Sequence, residues 1–419
     1  MAATTTGNFK RRDYLKVTLF GFAITALWQS LHTIILPLRL LDFVAESQKN
    51  TYLGLLTFAG LVLAMLVQPI AGSISDRFAS RLGKRRPFLI FGTLATLIFL
   101  PGIGLMNSFI AIFVIYCLLQ VSSNTAQGPY QAFIPDIVPD DKRGKASGIK
   151  SLMEITGGIA LIYPIALFMD RYFLHQEAQW LWYSLAALAT VIAVAMLATI
   201  LLVKETPTPL VTKQPVRQAL KNTFNINLRQ HHNFIWFLAS RLFVFMAFTT
   251  IQQFALNFLR DVIGVSSPAV ATARFSIIAV AGMLVIAWPA GYLSDRIGRK
   301  PLNIIASLLG AAGVLIIFLS PTYAATLWAA GVIGIAIGAF NSTNWALATD
   351  LLPQNEKARF LGLTNLATAG GAALARLIGP LIDFFNRYDG TLGYQVMLMA
   401  SMLYFIIGAI LITRVGKPD

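Results

Sequence analysis

Long apolar stretches alternate with short polar breaks along almost the whole chain. Many of the stretches approach or exceed the roughly 20 residues that a helix needs to cross the hydrocarbon core of a bilayer. The pattern therefore predicts an all-α membrane protein with twelve transmembrane helices, which we call spans 1 to 12. The predicted spans are residues 14–40, 51–75, 87–106, 108–134, 146–169, 179–203, 232–262, 268–293, 301–319, 324–351, 360–385 and 392–413.

Composition supports the same class of protein. Of the 419 residues, 56% are hydrophobic and 12% are charged, whereas an ordinary soluble domain carries about 25% charged residues. Folding in water cannot bury this much apolar surface, so a lipid bilayer is the expected surrounding. The single cysteine, Cys117, lies inside an apolar stretch and is expected to be a small core residue.

The formal charge of +15 is distributed as a topology signal rather than as a binding face. Basic residues cluster in alternate breaks, and 25 of the 33 lie on one side if both termini are cytoplasmic. Since cytoplasmic loops are enriched in Lys and Arg, we predict cytoplasmic termini and a multi-pass protein of the cytoplasmic membrane. No soluble basic domain is recognisable, so nucleic-acid binding is not expected.

The two halves of the chain repeat each other. Asp136 and the three residues after it correspond to Asp350 and its successors at an offset of 214. Upstream, Asp76 corresponds to Asp295 at an offset of 219, and a loop that is five residues longer in the first half explains the difference. A register held over such a distance indicates duplication. The predicted domains are six-helix bundles at 1–203 and 232–419, joined by a cytoplasmic linker at 204–231.

Each half carries a Ser-Asp-Arg loop with nearby glycines and a run of cations. An Asp in such a loop can pair with cations and helix N-termini, so the cluster can form in one state and break in another. We predict a cytoplasmic gate here, although the basic run alone is also the pattern of a topology signal. The predicted gate residues are Gly72, Asp76, Arg77, Arg81, Gly83, Lys84, Arg85, Arg86 and Asp136 in the first half, and Gly291, Asp295, Arg296, Gly298, Arg299, Lys300 and Asp350 in the second.

These loops resemble the signature of the major facilitator superfamily, and the resemblance covers essentially the whole chain. The longer first loop and the motif from Asn124 to Asp136 in span 4 are similar to the sucrose transporter-like branch and to glycoside–cation symporters. The resemblance implies two pseudo-symmetric six-helix bundles that rock around a central cavity to give alternating access. It also implies a sugar substrate that is moved by the proton gradient, without a bound cofactor.

The chain departs from that branch and its relatives at three places. Gln131 stands where the span 4 motif usually has Arg, so an expected buried cation is missing. Span 2 has no acidic residue between Thr51 and Ser75, so the sodium site of melibiose-type relatives has no counterpart there. Span 5 lacks the Gly-Pro-Gly-rich pattern associated with drug antiporters. Sodium coupling and multidrug export are therefore disfavoured.

Uncharged polar residues recur at helical spacing in spans 1, 4, 7 and 10, which line the cavity in the superfamily. Amides supply donors and acceptors for sugar hydroxyls, and an aromatic ring supplies a flat platform. The alternative is that such amides bridge helices within a bundle. A lone His32 is more typical of a hydrogen-bonded helix residue than of a proton carrier. The predicted substrate-binding residues are Gln29, His32, Asn124, Gln127, Gln131, Gln253, Asn257, Asn341, Asn344, Trp345 and Arg376.

Charges at bilayer depth are costly and usually need a partner. Arg376 lies near mid-depth of span 11, and Glu154 lies in span 5 one turn after Lys150, with which it can pair. Protonation of a carboxylate that depends on access and on a nearby cation suits proton coupling, so we predict that role for Glu154 together with Arg376. The alternative places Glu154 in the gate with Asp136. Arg241, nearer the inner end of span 7, is interpreted as a gate or interface residue.

The chemistry indicates a secondary transporter and not an enzyme. No phosphate-binding glycine-rich loop, metal-ligand spacing or catalytic constellation is recognisable. We predict a monomeric, proton-coupled symporter of a sugar or glycoside, whose partners are the small-molecule substrate, protons and the lipid bilayer, without metal or cofactor. Rival interpretations are an exporter of hydrophobic or anionic compounds, which Arg376 would suit, and more distantly a non-transporting membrane sensor.

Overall fold

A computed structural model describes residues 10–78, 80–203, 205, 232–351 and 357–416. Twelve helices within these residues are long and apolar enough to cross a membrane, which confirms the predicted all-α fold. The predicted linker lies outside the described residues except for Glu205. The observed spans are Arg11–Leu40, Glu46–Ser75, Arg86–Leu105, Phe109–Ile137, Asp140–His175, Ala178–Leu202, His232–Asp261, Pro268–Ile297, Arg299–Leu319, Tyr323–Leu351, Gly362–Asn386 and Leu392–Thr413.

Five spans are interrupted, and a proline lies at or shortly after each interruption. Proline lacks the N–H that would bond the carbonyl four residues earlier, so the helix changes its hydrogen-bond pattern there. Span 1 has a π turn, a feature that is frequent at functional sites. The pieces are Arg11–Ser30, the π turn Leu31–Ile35 and Leu36–Leu40 in span 1; Arg86–Phe99 and Gly102–Leu105 in span 3; Phe109–Gln131 and Phe133–Ile137 in span 4; Asp140–Lys142, Arg143–Ala160 and Ile162–His175 in span 5; and Lys357–Ala375, Arg376–Ile378 and Gly379–Asn386 in span 11.

The chain forms two compact units. The first comprises Met1–Leu31 and Ala59–Leu220, and the second comprises His32–Phe58 and Lys221–Asp419. In the first unit span 1 packs on spans 5 and 6, and span 3 packs on span 4. In the second unit spans 8 and 9 pack on span 10, and span 7 packs on spans 11 and 12. We call the end of each unit that carries its Ser-Asp-Arg loop the loop end, and the opposite end the far end.

Close glycine contacts repeat in the two units. A side chain at Gly157 of span 5 would clash with the backbone carbonyl of Phe22 in span 1, and one at Gly371 of span 11 would clash with the carbonyl of Leu242 in span 7. Small residues of this kind let two helix backbones approach directly. Because Gly157 and Gly371 are related by the offset of 214, the duplication seen in the sequence is also a duplication of helix packing.

Candidate functional site

Arg85 organises the loop end of the first unit. Its side chain is 4% exposed. The guanidinium Nε donates to Asp136 Oδ2 at 2.9 Å, Nη2 pairs with the carboxylate of Asp76, and Nη1 donates to the Gly72 carbonyl at 3.1 Å. Lys84 Nζ lies 3.0 Å from the same Asp136 oxygen. Five of the predicted gate residues, Gly72, Asp76, Lys84, Arg85 and Asp136, therefore form one connected network, whose formation and loss during transport stay a prediction.

The turn beside this network requires glycine. Gly83 has a φ of 99°, which side chains rarely adopt, and a Cβ there would clash with the carboxylate of Glu205. Glu205 Oε2 accepts a hydrogen bond from the backbone N–H of Arg85 at 3.0 Å. Burial raises the pKa of the Glu205 carboxyl above its ordinary value of 4.5, against the opposing effects of that N–H and of the Arg86 charge.

The loop end of the second unit has the equivalent ion pair and a bond from its arginine, Arg299, to the Ala346 carbonyl, but a smaller network. Arg299 Nη1 lies 2.5 Å from Asp350 Oδ2, and the Arg299 side chain is 29% exposed. This pair corresponds to Arg85 and Asp136 at the offset of 214. Within the part of the chain that the structure describes, Asp295 forms no ion pair. The second loop therefore has the same central ion pair as the first, but with fewer partners and more exposure to solvent.

The other predicted gate residues surround these pairs. Arg86 donates to the Val203 carbonyl, and Lys300 Nζ donates to the carbonyls of Thr413 and Val415 at 2.7 and 2.6 Å. These bonds attach each loop to the end of the last span of its own unit. Arg77 is half-buried, Arg81 is exposed, Arg296 stacks over the ring of Tyr292, and Gly291 and Gly298 lie in the end of span 8 and the turn after it.

Glu154 lies at the junction of spans 1, 4 and 5. Its Oε1 is 3.0 Å from Lys150 Nζ, which confirms the predicted pair, and its side chain is 30% exposed. Gly21 of span 1 makes room for it, because a Cβ at Gly21 would lie 2.7 Å from the Tyr130 hydroxyl and 3.1 Å from Glu154 Cγ. The Tyr130 hydroxyl donates to the Thr18 carbonyl at 3.0 Å. A partly open carboxylate with one cation as partner can exchange a proton when its access changes.

The predicted amide stripe of span 4 divides into two kinds of residue. Span 3 packs on span 4 at Ala126, and at about 100° per residue Asn124 and Gln131 point away from that contact. Asn124 is buried and its Nδ2 donates to the Gln120 carbonyl at 2.8 Å, as expected of a structural amide. Gln127 is half-buried and Gln131 is exposed. These two amides are the members of the stripe that are open to a ligand.

Arg241 occupies the corresponding junction of spans 7, 10 and 11. Its Nε donates to Thr368 Oγ1 at 2.7 Å, and its Nη1 donates to Asn344 Oδ1 at 2.5 Å. The guanidinium carbon lies 4.9 Å from the ring centroid of Phe245 and 5.1 Å from that of Trp345. Arg241 is 2% exposed, whereas Trp345 is 37% exposed. A buried cation is thus held by neutral polar groups and two aromatic rings.

The duplication relates these two junctions residue by residue. The offset of 214 connects their residues on spans 4 and 10 and on spans 5 and 11. On spans 1 and 7 the equivalent residues are those that directly precede the carbonyls of the paired glycine contacts. The equivalent pairs are Tyr130 and Asn344, Glu154 and Thr368, and Gly21 and Arg241.

A third polar cluster lies at the far end of the second unit. Asp383 of span 11 accepts hydrogen bonds from Asn50 Nδ2 at 2.8 Å and from the backbone N–H of Thr51 at 2.6 Å, so it caps the start of span 2. Asn257 Nδ2 donates to Asn50 Oδ1 at 2.8 Å. Asn257, predicted to bind substrate, is therefore placed as an amide that bridges helices, which is the alternative that the sequence left open.

The remaining predicted substrate-binding residues lie in spans 1, 7, 10 and 11. The π turn of span 1 contains His32, whose carbonyl faces Gln253 Nε2 at 3.5 Å. Arg376 begins the interruption of span 11 and donates to the Ala372 carbonyl. Asn341 and Gln29 are half-buried. The predicted relation of Arg376 to Glu154 joins different units and stays a prediction.

Sequence reasoning missed three residues of these clusters as candidates for the site. Arg241 was interpreted as a gate or interface residue, and Tyr130 and Asp383 were not singled out. The signal for Tyr130 was available, since the offset of 214 places it opposite Asn344 in the repeat. Arg241 gave no such signal, because its partners come from spans 10 and 11 and depend on how the helices pack. Asp383 gave no such signal, because its role depends on a contact with a distant span.

The described residues contain no group of three or more His, Cys, Asp and Glu side chains placed to hold a metal ion. A family model for the Major Facilitator Superfamily matches residues 14–376. Two solved structures share the fold over nearly their whole length. The D-xylose-proton symporter has a TM-score of 0.71 at 17% identity, with 97% of each chain covered, and the nucleoside transporter NupG has a TM-score of 0.72 at 14% identity, with 97% of this chain and 99% of that chain covered.

Curated relatives match shorter segments. The minor myo-inositol transporter IolF of Bacillus subtilis is 26% identical over 129 residues, which are 31% of this chain and 28% of that protein. Sucrose transport protein SUT2 of Oryza sativa subsp. indica is 32% identical over 119 residues, which are 22% of this chain and 23% of that protein. The chain therefore matches about a quarter of the length of these relatives.

Proposed function

Because the chain belongs to the Major Facilitator Superfamily, we propose that this multi-pass membrane transporter is a proton-coupled symporter of a sugar or glycoside. It works by alternating access in the cytoplasmic membrane, as a monomer with both termini on the cytoplasmic side. The proton gradient supplies the energy, and no bound cofactor takes part. Transport rather than catalysis of a reaction is its activity, as its family and fold indicate.

The observation that carries this proposal is the placement of Glu154. It is a carboxylate within a membrane span, it has one cation as partner at 3.0 Å, and it remains 30% exposed. Such a group can lose its proton to one side and gain it from the other when the surrounding helices move. Because Glu154 of span 5 and the Tyr130 hydroxyl of span 4 both lie next to Gly21 of span 1, movement of span 1 changes the surroundings of the carboxylate.

The substrate class is supported by the open amides and by the relatives. In the first unit Gln127 and Gln131 present uncharged donors and acceptors, which suit sugar hydroxyls. In the second unit Asn341 presents an amide and Trp345 presents an exposed ring face, which suits a sugar ring. The curated relatives are named as transporters of sucrose and myo-inositol. We assign gating to the two loop networks, with Arg85–Asp136 and Arg299–Asp350 as the pairs that break and form.

Transport into proteoliposomes that contain the purified protein tests the proposal. Radiolabelled sucrose, D-xylose and myo-inositol are offered with an inward proton gradient. At least one of them is expected to accumulate above its external concentration, and a protonophore is expected to abolish accumulation. Accumulation that survives the protonophore would rule out proton coupling, and failure of all three together with a wider panel of neutral and acidic sugars would rule out the substrate class.

The direction of proton movement separates symport from the rival export function. A symporter moves protons with the sugar, so adding sugar to one side makes that side more alkaline. An antiporter that exports an organic compound makes the side to which the compound is added more acidic. A pH electrode outside the vesicles distinguishes the two results.

A further inference from the structure

We propose that Arg241 binds an acid group of the transported ligand, so that the site takes a sugar that carries one carboxylate. This inference rests on the proposed function and narrows its substrate class from neutral sugars to sugar acids. The site consists of Arg241, Thr368, Asn344, Phe245 and Trp345. All five residues belong to the second unit.

The first argument is the charge balance of the site. Arg241 lies nine residues into span 7 and is 2% exposed, and a guanidinium stays charged in any protein environment. Among the described residues, no Asp or Glu forms an ion pair with it, and both of its side-chain acceptors are neutral. A charge at this depth is costly and normally has a counter-charge. A ligand with one negative charge supplies it.

The second argument is the hydrogen bonding that remains. Nε and Nη1 are used by Thr368 and Asn344. Within the part of the chain that the structure describes, Nη2 has no acceptor. Arginine nitrogens bind carboxylate oxygens through short, charge-assisted hydrogen bonds. The two occupied nitrogens hold the guanidinium plane in position, and the third is left for a ligand oxygen.

The third argument is the ring beside the cation. Trp345 lies 5.1 Å from the guanidinium carbon and is 37% exposed. An exposed indole face next to a buried cation suits a ligand with an apolar ring face and an attached acid group. A sugar ring with one carboxylate has this combination. Phe245 lies 4.9 Å from the guanidinium carbon and gives the cation a second aromatic contact.

The number of charges favours a carboxylate over a phosphate. Arg241 contributes a single positive charge, and no second cation contacts it among the described residues. A phosphate monoester carries a charge of about −1.5 to −2 at neutral pH. The single charge of Arg241 would leave part of the phosphate charge without a partner, whereas it balances the charge of one carboxylate.

Matched acids and amides test the inference on the full-length protein in detergent. Thermal stabilisation is measured with D-glucuronate and D-glucuronamide, and with D-galacturonate and D-galacturonamide, which differ in charge at one group. We expect at least one acid to stabilise the protein at a concentration about tenfold or more below that of its amide, since hydrogen bonds to charged groups are the stronger kind. Equal potency of acid and amide in both pairs would overturn the inference.

Variants assign the preference to the site. Arg241→Gln is expected to abolish the difference between acid and amide, and Arg241→Lys is expected to keep part of it. Arg387→Gln, which removes an exposed arginine at the end of span 11, is the matched control and should keep the full difference. A preference for the acid that persists in Arg241→Gln would overturn the inference. If that variant does not fold, the comparison of acid with amide on the native protein still decides.

The outcome also separates this inference from the proposed function. Uptake of neutral sugars with no preference for acids would refute the Arg241 site and leave sugar symport standing. Proton-coupled accumulation of D-glucuronate but not of D-glucuronamide would support both. No transport of any neutral or acidic sugar would refute both.

Discussion

The junction of spans 1, 4 and 5 holds a carboxylate, whereas the equivalent junction of spans 7, 10 and 11 holds a guanidinium. In the first unit Gly21 leaves space that Glu154 and Tyr130 fill. In the second unit Arg241 fills the same position and bonds Thr368, the counterpart of Glu154. Duplication has therefore preserved the backbone contact and reversed the charge.

The two halves share a frame, by which we mean the helix packing at the paired glycines, and they differ in the side chains placed on it. The difference teaches that the frame and the side-chain chemistry changed separately. The frame depends on glycine contacts between backbones, which tolerate no side chain and so stayed alike. The chemistry depends on a few side chains that project from that frame. We therefore assign proton coupling to the first unit and recognition of the ligand's acid group to the second.

The largest effect is expected from removing the carboxylate at the junction of spans 1, 4 and 5. Glu154→Gln should abolish accumulation of substrate, because an amide cannot carry the proton, and it should spare exchange of labelled for unlabelled substrate. Thr368→Val, at the equivalent position, should weaken binding yet still accumulate substrate. Glu177→Gln, an exposed site outside the spans, is the control. Uptake and exchange assays in proteoliposomes measure accumulation and exchange separately. Normal accumulation by Glu154→Gln would refute the assignment of proton coupling to Glu154.

The shared frame can be tested through its glycines. Gly157→Ala and Gly371→Ala should each lower the free energy of unfolding by about 1–3 kcal/mol, since the added methyl group forces the packed helices apart. Gly144→Ala should not, because no atom lies within 4 Å of a Cβ built there. Unfolding in detergent, followed by circular dichroism, gives the values. A neutral result at only one of the paired glycines would show that the two frames differ.

The two loops should respond unequally to loss of their arginines. Arg85→Ala breaks bonds to two carboxylates and a carbonyl, and should cost about 1–2 kcal/mol after allowance for the partial exposure of the carboxylates. Arg299→Ala breaks one more exposed ion pair and a bond to the Ala346 carbonyl, and should cost less than about 1 kcal/mol. Equal losses of stability, measured in the same unfolding experiment, would contradict the description of the first network as buried and extensive and of the second as smaller and more exposed.

The smallest expected effect concerns Glu205. Its pKa in the folded protein is raised above the ordinary value of 4.5 by burial, so folding favours the protonated form. Its contribution to stability is complete below about that pH and is lost as the pH rises through the raised pKa. Glu205→Gln should therefore flatten the fall in melting temperature on going from acidic to neutral pH. If the fall in melting temperature with pH is as steep in Glu205→Gln as in the native protein, groups other than Glu205 cause it.

Much of the fold could be predicted, because apolar length and a constant offset are properties of the chain itself. The pair of Glu154 with Lys150 could also be predicted, since residues four apart on a helix are neighbours. The role of Arg241 could not, because its partners come from spans 10 and 11 and depend on how the helices pack. The hydrogen bond by which Asp383 caps span 2 could not be predicted either, because it joins segments that are far apart in the sequence.

Proton uptake on ligand binding tests the central claim most directly. Purified protein in weakly buffered detergent solution is titrated with a substrate identified by the transport assay, and a pH indicator records protons taken up. We predict that the native protein and Thr368→Val take up protons when substrate binds, and that Glu154→Gln binds substrate without doing so. Equal proton uptake by the native protein and Glu154→Gln would contradict the assignment of coupling to the first junction.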